Sequence, residues 1–217
     1  MAVDYSLYLV TDRILVGSKD FLLSLRKALE GGVTLLQLRE KEANSREFYE
    51  IGLKVKEMAA KFRVPLIIND RVDLALALDA DGVHIGQKDL PIEVVRNMIG
   101  SDKILGYSVS SLEEALWGER LGADYLGAGP VFPTGSKKDA SEAIGLAMLK
   151  KIKDSVNLPV VGIGGIGPVN LREVKETGID GISVISAILS QEDPYAAAKG
   201  LGDLWRSWEI NEYWKEE

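Results

Sequence analysis

The chain has 217 residues, of which 46% are hydrophobic, and its formal net charge is −7. It contains no cysteine and one histidine, His84, which excludes disulfides, cysteine nucleophiles and metal sites built from thiolates or several imidazoles. A negative charge disfavours binding to nucleic acid, whose phosphates attract basic surfaces. It still allows a small phosphate ester, because a few basic residues in one pocket are enough.

No apolar run is long enough to cross a bilayer, and the start of the chain lacks the pattern of an export signal. We therefore expect one cytoplasmic domain over residues 1–217 that does not bind a membrane. The segment from about residue 209 to 217 is acidic and aromatic, and the sequence leaves open whether it packs on the domain. The oligomeric state is not predicted either, which leaves a homo-oligomer open.

Short apolar runs alternate along the chain with amphipathic stretches at helical spacing. The runs predict strands over residues 5–10, 33–38, 64–68, 82–85, 103–107, 124–129, 158–163 and 181–185. The amphipathic stretches predict helices over residues 21–30, 46–62, 72–78, 92–99, 111–121, 145–156, 169–177 and 194–208. In the second helix, the side chains expected to face the sheet are Tyr49, Leu53, Val55, Met58 and Phe62. About eight such units predict the α/β class and a single (β/α)8 TIM barrel.

Two aspartates follow neighbouring predicted strands. Asp70 comes directly after the third strand, next to Asn69, and Asp89 comes shortly after the fourth, next to Gln87 and Lys88. Each alone is explained as a helix cap or a helix start. Together at adjacent strand ends they favour a metal, because two close carboxylates repel each other unless a cation lies between them. Magnesium fits, since it takes one or two protein carboxylates and leaves its other positions to water and phosphate oxygens.

A glycine-rich segment, GIGGIG at Gly162–Gly167, follows the seventh strand and is expected to open a helix, while Ser186 follows the eighth strand. In (β/α)8 barrels these two loops form the recurrent phosphate site, where backbone amides approach the anion. The alternative is a plain tight turn. The position after the seventh strand favours phosphate.

Basic residues follow the second strand, where Arg39 and Lys41 flank Glu40. They form either a solvated charge cluster or a pair facing the pocket, where a guanidinium suits a diphosphate. The loop after the sixth strand carries Thr134, Ser136 and two lysines, Lys137 and Lys138. That loop is either plain surface or a lid over a phosphorylated substrate. His84, inside the fourth strand, is interpreted as an inward-packed, hydrogen-bonded residue rather than a base.

Taken in order, these motifs resemble the thiamine phosphate synthase family over nearly the whole chain. The matching segments are LYLVTD, QLREK, INDRVDLALALDADGVHIGQKDLP, GYS, GAGPVFPTGSKKD, VVGIGGI and VISAI. The resemblance implies a (β/α)8 barrel and a transferase of thiamine biosynthesis. Its reaction joins a hydroxymethylpyrimidine diphosphate to a thiazole phosphate, or its carboxylated form, and releases diphosphate with one Mg²⁺ per subunit.

The resemblance also implies roles for individual residues. Asp70 and Asp89 are the expected metal ligands. The expected catalytic residues are Ser108, Lys137, Arg39 and Lys41. The expected substrate-binding residues are Gln37, Arg39, Lys41, Asn69, Ser108, Thr134, Ser136, Lys137, Gly165, Ile185 and Ser186.

The residues fit chemistry that needs no general base, because a thiazole nitrogen has no proton to lose. The leaving diphosphate develops negative charge that a metal and Arg39, Lys41 and Lys137 can stabilise. We therefore expect a loose, carbocation-like displacement. Two alternatives remain: a thiazole tautomerase-like barrel, disfavoured by serine at position 110 where that family is expected to carry histidine, and a noncatalytic sensor of phosphate esters, which would not need the metal ligands.

Overall fold

The computed structural model describes residues 3–134 and 142–207. Eight parallel strands pair in chain order, and β8 closes on β1 to form a barrel. The strands are β1 (Leu7–Val10), β2 (Leu35–Leu38), β3 (Leu66–Asn69), β4 (Gly82–Ile85), β5 (Ile104–Val109), β6 (Tyr125–Ala128), β7 (Val160–Ile163) and β8 (Gly181–Val184). This confirms the predicted (β/α)8 barrel.

Helices cover the outside of the barrel and connect its strands. They are α1 (Arg13–Val16), α2 (Phe21–Glu30), α3 (Ser45–Phe62), α4 (Val72–Ala77), α5 (Ile92–Ile99), α6 (Leu112–Arg120), α7 (Gly145–Ser155), α8 (Leu171–Lys175), α9 (Ser186–Leu189) and α10 (Pro194–Ser207). The sequence did not predict α1 and α9, because one helical turn is too short to show a periodic pattern.

The strands are buried on both faces, by the helices outside and by side chains in the barrel interior. Every residue of β1, β2, β4 and β8 is buried. Such strands appear in a sequence as continuous apolar runs. The runs reveal where the strands are, but without alternation they do not show which side chains face inward and which face outward. All eight carboxyl ends open on the same side of the barrel.

The predicted buried face of α3 is wrong in part. Tyr49 and Leu53 are exposed, whereas Phe48, Gly52 and Ala59 are buried together with Val55 as predicted. The helix approaches α4 closely at Gly52, where a Cβ atom would lie 2.5 Å from the Leu78 side chain. A contact made through a glycine gives no hydrophobic signal in a sequence, so the prediction chose Leu53 instead of Gly52. Met58 and Phe62 are partly buried and pack against the core, as predicted.

Aspartates stabilise the amino-terminal end of the barrel. Asp81, Asp124 and Asp180 each precede an even-numbered strand, and each carboxylate accepts a hydrogen bond from a backbone N–H near the start of the preceding strand. The pairs are Asp81 with Leu66, Asp124 with Leu105 and Asp180 with Val160, at 2.7 Å each. These aspartates lie at the opposite end of the barrel from Asp70 and Asp89.

The described residues contain no helix that is both long and apolar enough to span a bilayer. Their side chains form one continuous hydrophobic core around the barrel. The prediction that residues 1–217 form a single domain extends beyond the described residues, because residues 1–2, 135–141 and 208–217 lie outside them.

Candidate active site

The two aspartates predicted to bind metal lie side by side at the carboxyl ends of β3 and β4. The Asp70 side chain is within hydrogen-bonding reach of Asp89 and lies 3.7 Å from the Lys41 ammonium. The Asp70 backbone N–H donates to the His84 carbonyl at 2.9 Å, which ties the end of β3 to β4. The Asp89 carboxylate accepts from the Gly86 N–H at 2.7 Å. The fold therefore brings both carboxylates to one point.

Helix capping does not account for either aspartate. Arg71 occupies the N-cap position of α4 and Pro91 that of α5, and neither helix has a side-chain cap hydrogen bond. Asp70 instead adopts φ = 61°, in the left-handed region that residues other than glycine rarely adopt. Strained backbone of this kind is concentrated at functional sites.

Electrostatics at this pair favour a bound cation. Burial, followed by the Asp89 charge, raises the pKa of Asp70, and Lys41 only partly opposes this effect. In the described part of the chain, His, Cys, Asp and Glu form no group of three or more that could hold a metal. Two carboxylates give an oxygen-only pair of ligands, which fits Mg²⁺ because it takes one or two protein carboxylates and leaves its other positions to water and phosphate oxygens.

Arg39 and Lys41 are not paired with Glu40, the residue between them. The Arg39 guanidinium lies 3.1 Å from the Asp12 carboxylate, and both side chains are almost fully buried. Glu40 pairs with Arg13 at 3.3 Å. Arg39 and Lys41 therefore diverge to two different carboxylates, Asp12 and Asp70, instead of forming a solvated cluster. Sequence reasoning missed Asp12, which lies in the short stretch between β1 and α1.

A cavity of about 520 Å³ opens at the same face of the barrel, at the carboxyl ends of the strands opposite β3 and β4. It is lined by the glycine segment after β7, by the start of α9 and by Ser108 of β5. The predicted residues in its wall are Ser108, Thr134, Gly165, Ile185 and Ser186. Ser136 and Lys137, together with Lys138, lie outside the described residues.

The glycine segment does not open a helix directly, contrary to the prediction. Helix α8 begins only at Leu171 and has five residues. The Asn170 side chain holds the loop instead, because it accepts from the Gly167 N–H and donates to the Gly165 carbonyl, both at 2.9 Å. The loop therefore presents its backbone amides through local hydrogen bonds rather than through a long helix.

Gly165→Ala is expected to destabilise the protein, because Gly165 has φ = 66° and a Cβ atom there would lie 2.7 Å from Phe132 Cβ. We expect a loss of about 2 kcal/mol in the free energy of unfolding. The matched variant Gly167→Ala should cost little, since its Cβ atom would have no neighbour within 4 Å. Chemical denaturation measures both. Equal losses in the two variants would contradict the close packing at Gly165.

Ser183 of β8 also lines the cavity and was missed by the sequence reasoning. Its hydroxyl is fully buried and has no hydrogen-bond partner within the described structure. A serine inside a buried strand is interpreted as filling of the interior, so nothing in the sequence distinguished it. A buried polar group without a partner is costly, which points to a ligand atom as its partner.

Ser183→Ala is expected to raise the free energy of unfolding of the ligand-free protein by about 1 kcal/mol, because the unsatisfied hydroxyl is removed. Ser24→Ala is the matched control, since Ser24 is equally buried but donates to the Asp20 carbonyl at 2.7 Å. The free energy of unfolding of Ser24→Ala should fall by about 1 kcal/mol. Thermal or chemical denaturation distinguishes the two. If Ser183→Ala is as destabilising as Ser24→Ala, the Ser183 hydroxyl has a partner.

Fold and site together define a (β/α)8-barrel enzyme whose charged and polar groups collect at the carboxyl ends of its strands. The profile of a known family, thiamine monophosphate synthase, matches residues 7–188. The chain belongs to the thiamine monophosphate synthase family, and its activity is that of a thiamine-phosphate synthase, a transferase.

Individual relatives agree with this family. A thiamine-phosphate synthase from Desulfitobacterium hafniense is 86% identical over 207 residues, covering 95% of this chain and all of the relative. One from Alkaliphilus oremlandii is 54% identical over 199 residues, covering 92% and 95% of the two chains. The solved structure of thiamine phosphate pyrophosphorylase from Pyrococcus furiosus superposes with a TM-score of 0.87 at 49% identity and covers 94% and 97% of the two chains.

Proposed function

We propose that this site joins a hydroxymethylpyrimidine diphosphate to a thiazole phosphate, with release of diphosphate and with one Mg²⁺ bound per subunit. The observation that supports it is the juxtaposition of Asp70 with Asp89 at the ends of β3 and β4. The glycine-loop cavity opens at the same face of the barrel. The region around Asp70 and Asp89 suits a metal-bound diphosphate, and the glycine-loop cavity suits a phosphate ester.

Asp70 and Asp89 hold the metal in this proposal. When bound, Mg²⁺ supplies positive charge to the diphosphate as the C–O bond breaks. The Lys41 ammonium, 3.7 Å from Asp70, lies beside the same diphosphate and stabilises its growing negative charge. Asn69 orients the pyrimidine diphosphate next to the metal.

Arg39 binds the diphosphate through its planar guanidinium, which Asp12 holds in place. Gln37, buried on the inner face of β2, contacts the pyrimidine ring. Ser108 lies between the two regions: it lines the cavity, and its carbonyl accepts from Gln87, two residues before Asp89. Ser108 therefore reaches both the diphosphate and the reacting methylene.

The thiazole phosphate occupies the cavity lined by the glycine segment after β7 and by the start of α9. Backbone amides at Gly165, Ile185 and Ser186 bind its phosphate, with the hydroxyl groups of Thr134 and Ser136. The thiazole nitrogen then forms the new C–N bond as the C–O bond of the diphosphate breaks. Because this nitrogen carries no proton, the step needs no base. Lys137 contacts the leaving diphosphate and acts as a catalytic residue in this scheme.

The tautomerase alternative gains nothing from the structure. The Ser110 hydroxyl donates to Glu114 at 2.9 Å, at the start of α6, and so serves the helix terminus. A noncatalytic sensor would have no use for the carboxylate pair. We further propose that the partners are these small molecules, not nucleic acid or a membrane, that the protein is cytoplasmic, and that residues 1–217 form one domain. A homo-oligomer is left open.

The test is to mix both substrates with Mg²⁺ and to measure diphosphate and thiamine phosphate together. We expect equal amounts of the two products, and neither product when one substrate is omitted or Mg²⁺ is chelated. Diphosphate released from the pyrimidine substrate alone would contradict a coupled reaction. Turnover that persists in excess chelator would contradict the metal site.

A further inference from the structure

Five polar side chains from five different strands form a continuous hydrogen-bonded chain across the barrel interior. The Gln37 amide nitrogen donates to the Tyr8 hydroxyl, and the Tyr8 and Tyr125 hydroxyl oxygens lie 2.7 Å apart. The Tyr125 hydroxyl lies 2.8 Å from His84 Nδ1, and His84 Nε2 lies 2.8 Å from Ser108 Oγ. The two ends of this chain, Gln37 and Ser108, are residues that the proposed function places against substrate.

The backbone leaves room for this chain at two glycines. A Cβ atom at position 106 would lie 2.2 Å from Tyr125 Cζ and 2.3 Å from His84 Nδ1. A Cβ atom at position 127 would lie 3.0 Å from His84 Cε1. Strands β5 and β6 thus lack side chains where the tyrosine and imidazole rings meet. The chain is therefore built into the barrel interior and is not an incidental contact at its surface.

The amide nitrogen at the Gln37 end favours one direction of hydrogen bonding along this chain. It can only donate, so Tyr8 accepts from Gln37 and its own proton is available to Tyr125, whose hydroxyl oxygen lies 2.7 Å away. With Tyr8 as the donor, the Tyr125 proton is directed to His84 Nδ1. Burial raises the pKa values of both tyrosines, so both hydroxyl groups keep their protons. A neutral imidazole that accepts at Nδ1 carries its proton on Nε2 and donates it to Ser108 Oγ.

We propose that Gln37, Tyr8, Tyr125 and His84 act as positioning residues that fix Ser108 as a hydrogen-bond donor toward the cavity. Because Ser108 Oγ accepts from His84, its own proton is directed to an anionic oxygen of the ligand. If the chain ran in the opposite direction, Ser108 would donate to His84 and would present only lone pairs to a diphosphate, which repel it. This inference rests on the proposed function for the identity of that ligand.

The first test uses the unaltered protein without substrate. His84 is the one histidine in the sequence, so its ring nitrogens give unambiguous ¹⁵N NMR signals. At a pH where the ring is neutral, we expect the proton on Nε2 and an unprotonated Nδ1. A neutral ring with its proton on Nδ1 would overturn the proposal. This result does not depend on the reaction, so it can hold even if the coupling activity is absent.

The second test breaks the hydrogen-bonded chain at Tyr8, which is separated from His84 by two hydrogen bonds. Tyr8→Phe keeps the aromatic ring but removes the proton that Tyr125 accepts, so both histidine tautomers become populated and kcat falls about 10-fold. Tyr5→Phe is the matched control, because the Tyr5 ring also packs on Tyr125, at 5.0 Å between ring centroids. Tyr5 belongs to no part of the hydrogen-bonded chain and should leave both readouts unchanged. Unchanged tautomer and turnover in Tyr8→Phe, or the same change in Tyr5→Phe, would overturn the proposal.

Discussion

Asp70→Asn is expected to lower kcat by roughly 100- to 1000-fold, because it removes one of the two carboxylates that we propose hold a cation opposite the leaving diphosphate. Asparagine tolerates the left-handed backbone that Asp70 adopts at φ = 61°, so the barrel should stay folded. Steady-state turnover at several Mg²⁺ concentrations is the measurement. The apparent affinity for Mg²⁺ should fall together with kcat.

Asp73→Asn is the matched control for this variant. It changes the same residue type three positions later, in the first turn of α4, where the side chain is exposed and pairs with Arg71. Exposed ion pairs contribute little to stability, so turnover should stay within about twofold of the parent. Near-normal turnover in Asp70→Asn, or an equal loss in Asp73→Asn, would contradict the assignment of the metal ligand.

Asp70→Asn is also expected to change the stability of the metal-free protein. The folded pKa of Asp70 is raised, by burial first and by Asp89 second, so the folded state binds its proton more tightly than the unfolded chain does. The folded state is then destabilised as pH rises above the ordinary aspartate range toward the raised value. Asp70→Asn removes this cost. Its free energy of unfolding should exceed that of the parent at neutral pH, and the difference should shrink as the pH is lowered or Mg²⁺ is added.

Arg39→Lys is expected to lower kcat/KM for the pyrimidine diphosphate by about 10- to 100-fold, since it keeps the charge but loses the fork-shaped guanidinium that we propose binds this diphosphate. The Asp12 carboxylate, 3.1 Å from Arg39, orients that fork in a nearly buried position. A lysine can pair with Asp12 or with the substrate, but it cannot hold both in the same plane. Initial rates at varied pyrimidine diphosphate give the measurement.

Arg26→Lys makes the same substitution at an exposed ion pair on α2 and serves as the control. Its kcat/KM should equal that of the parent, because an exposed pair of this kind contributes little. If Arg39→Lys also keeps the parental kcat/KM, Arg39 serves only to neutralise Asp12, and the diphosphate is bound by other groups.

The sequence predicted the parts of this site that lie just after the strands. Parallel strands deliver the residues after them to one edge, so the order along the chain was enough to bring Asp70 and Asp89 together, and Gly165 with Ser186. The strands and most helix boundaries were predictable for the same reason, since short apolar runs and glycine or proline breaks mark them.

The residues inside the barrel were harder to predict. Tyr8, Tyr125 and Ser183 lie within strands that are buried on both faces, where alternation does not separate inward from outward positions. Their hydrogen-bond partners come from other strands, far away in the sequence. His84 was predicted as an inward, hydrogen-bonded residue, and its contacts with Tyr125 and Ser108 agree with that prediction.

One prediction failed, and one partner was missed, where local geometry rather than pattern decides the structure. The glycine segment was expected to open a helix, but the Asn170 side chain bonds the loop in place before α8 begins. Sequence reasoning left open whether Arg39 belongs to a charge cluster with Glu40 or faces the pocket, and it missed Asp12, the partner of Arg39 from the neighbouring strand end. Partners that meet across adjacent strands leave no trace in the spacing of one segment.

The central claim is that one divalent ion lies between Asp70 and Asp89 and contacts the departing diphosphate. Crystals grown with Mn²⁺ and diphosphate test it most directly, because Mn²⁺ prefers the same oxygen ligands and gives an anomalous signal. We expect one anomalous peak within about 2.3 Å of an oxygen from each carboxylate. A peak elsewhere in the barrel, or a peak bound by diphosphate with neither aspartate as a ligand, would contradict the account.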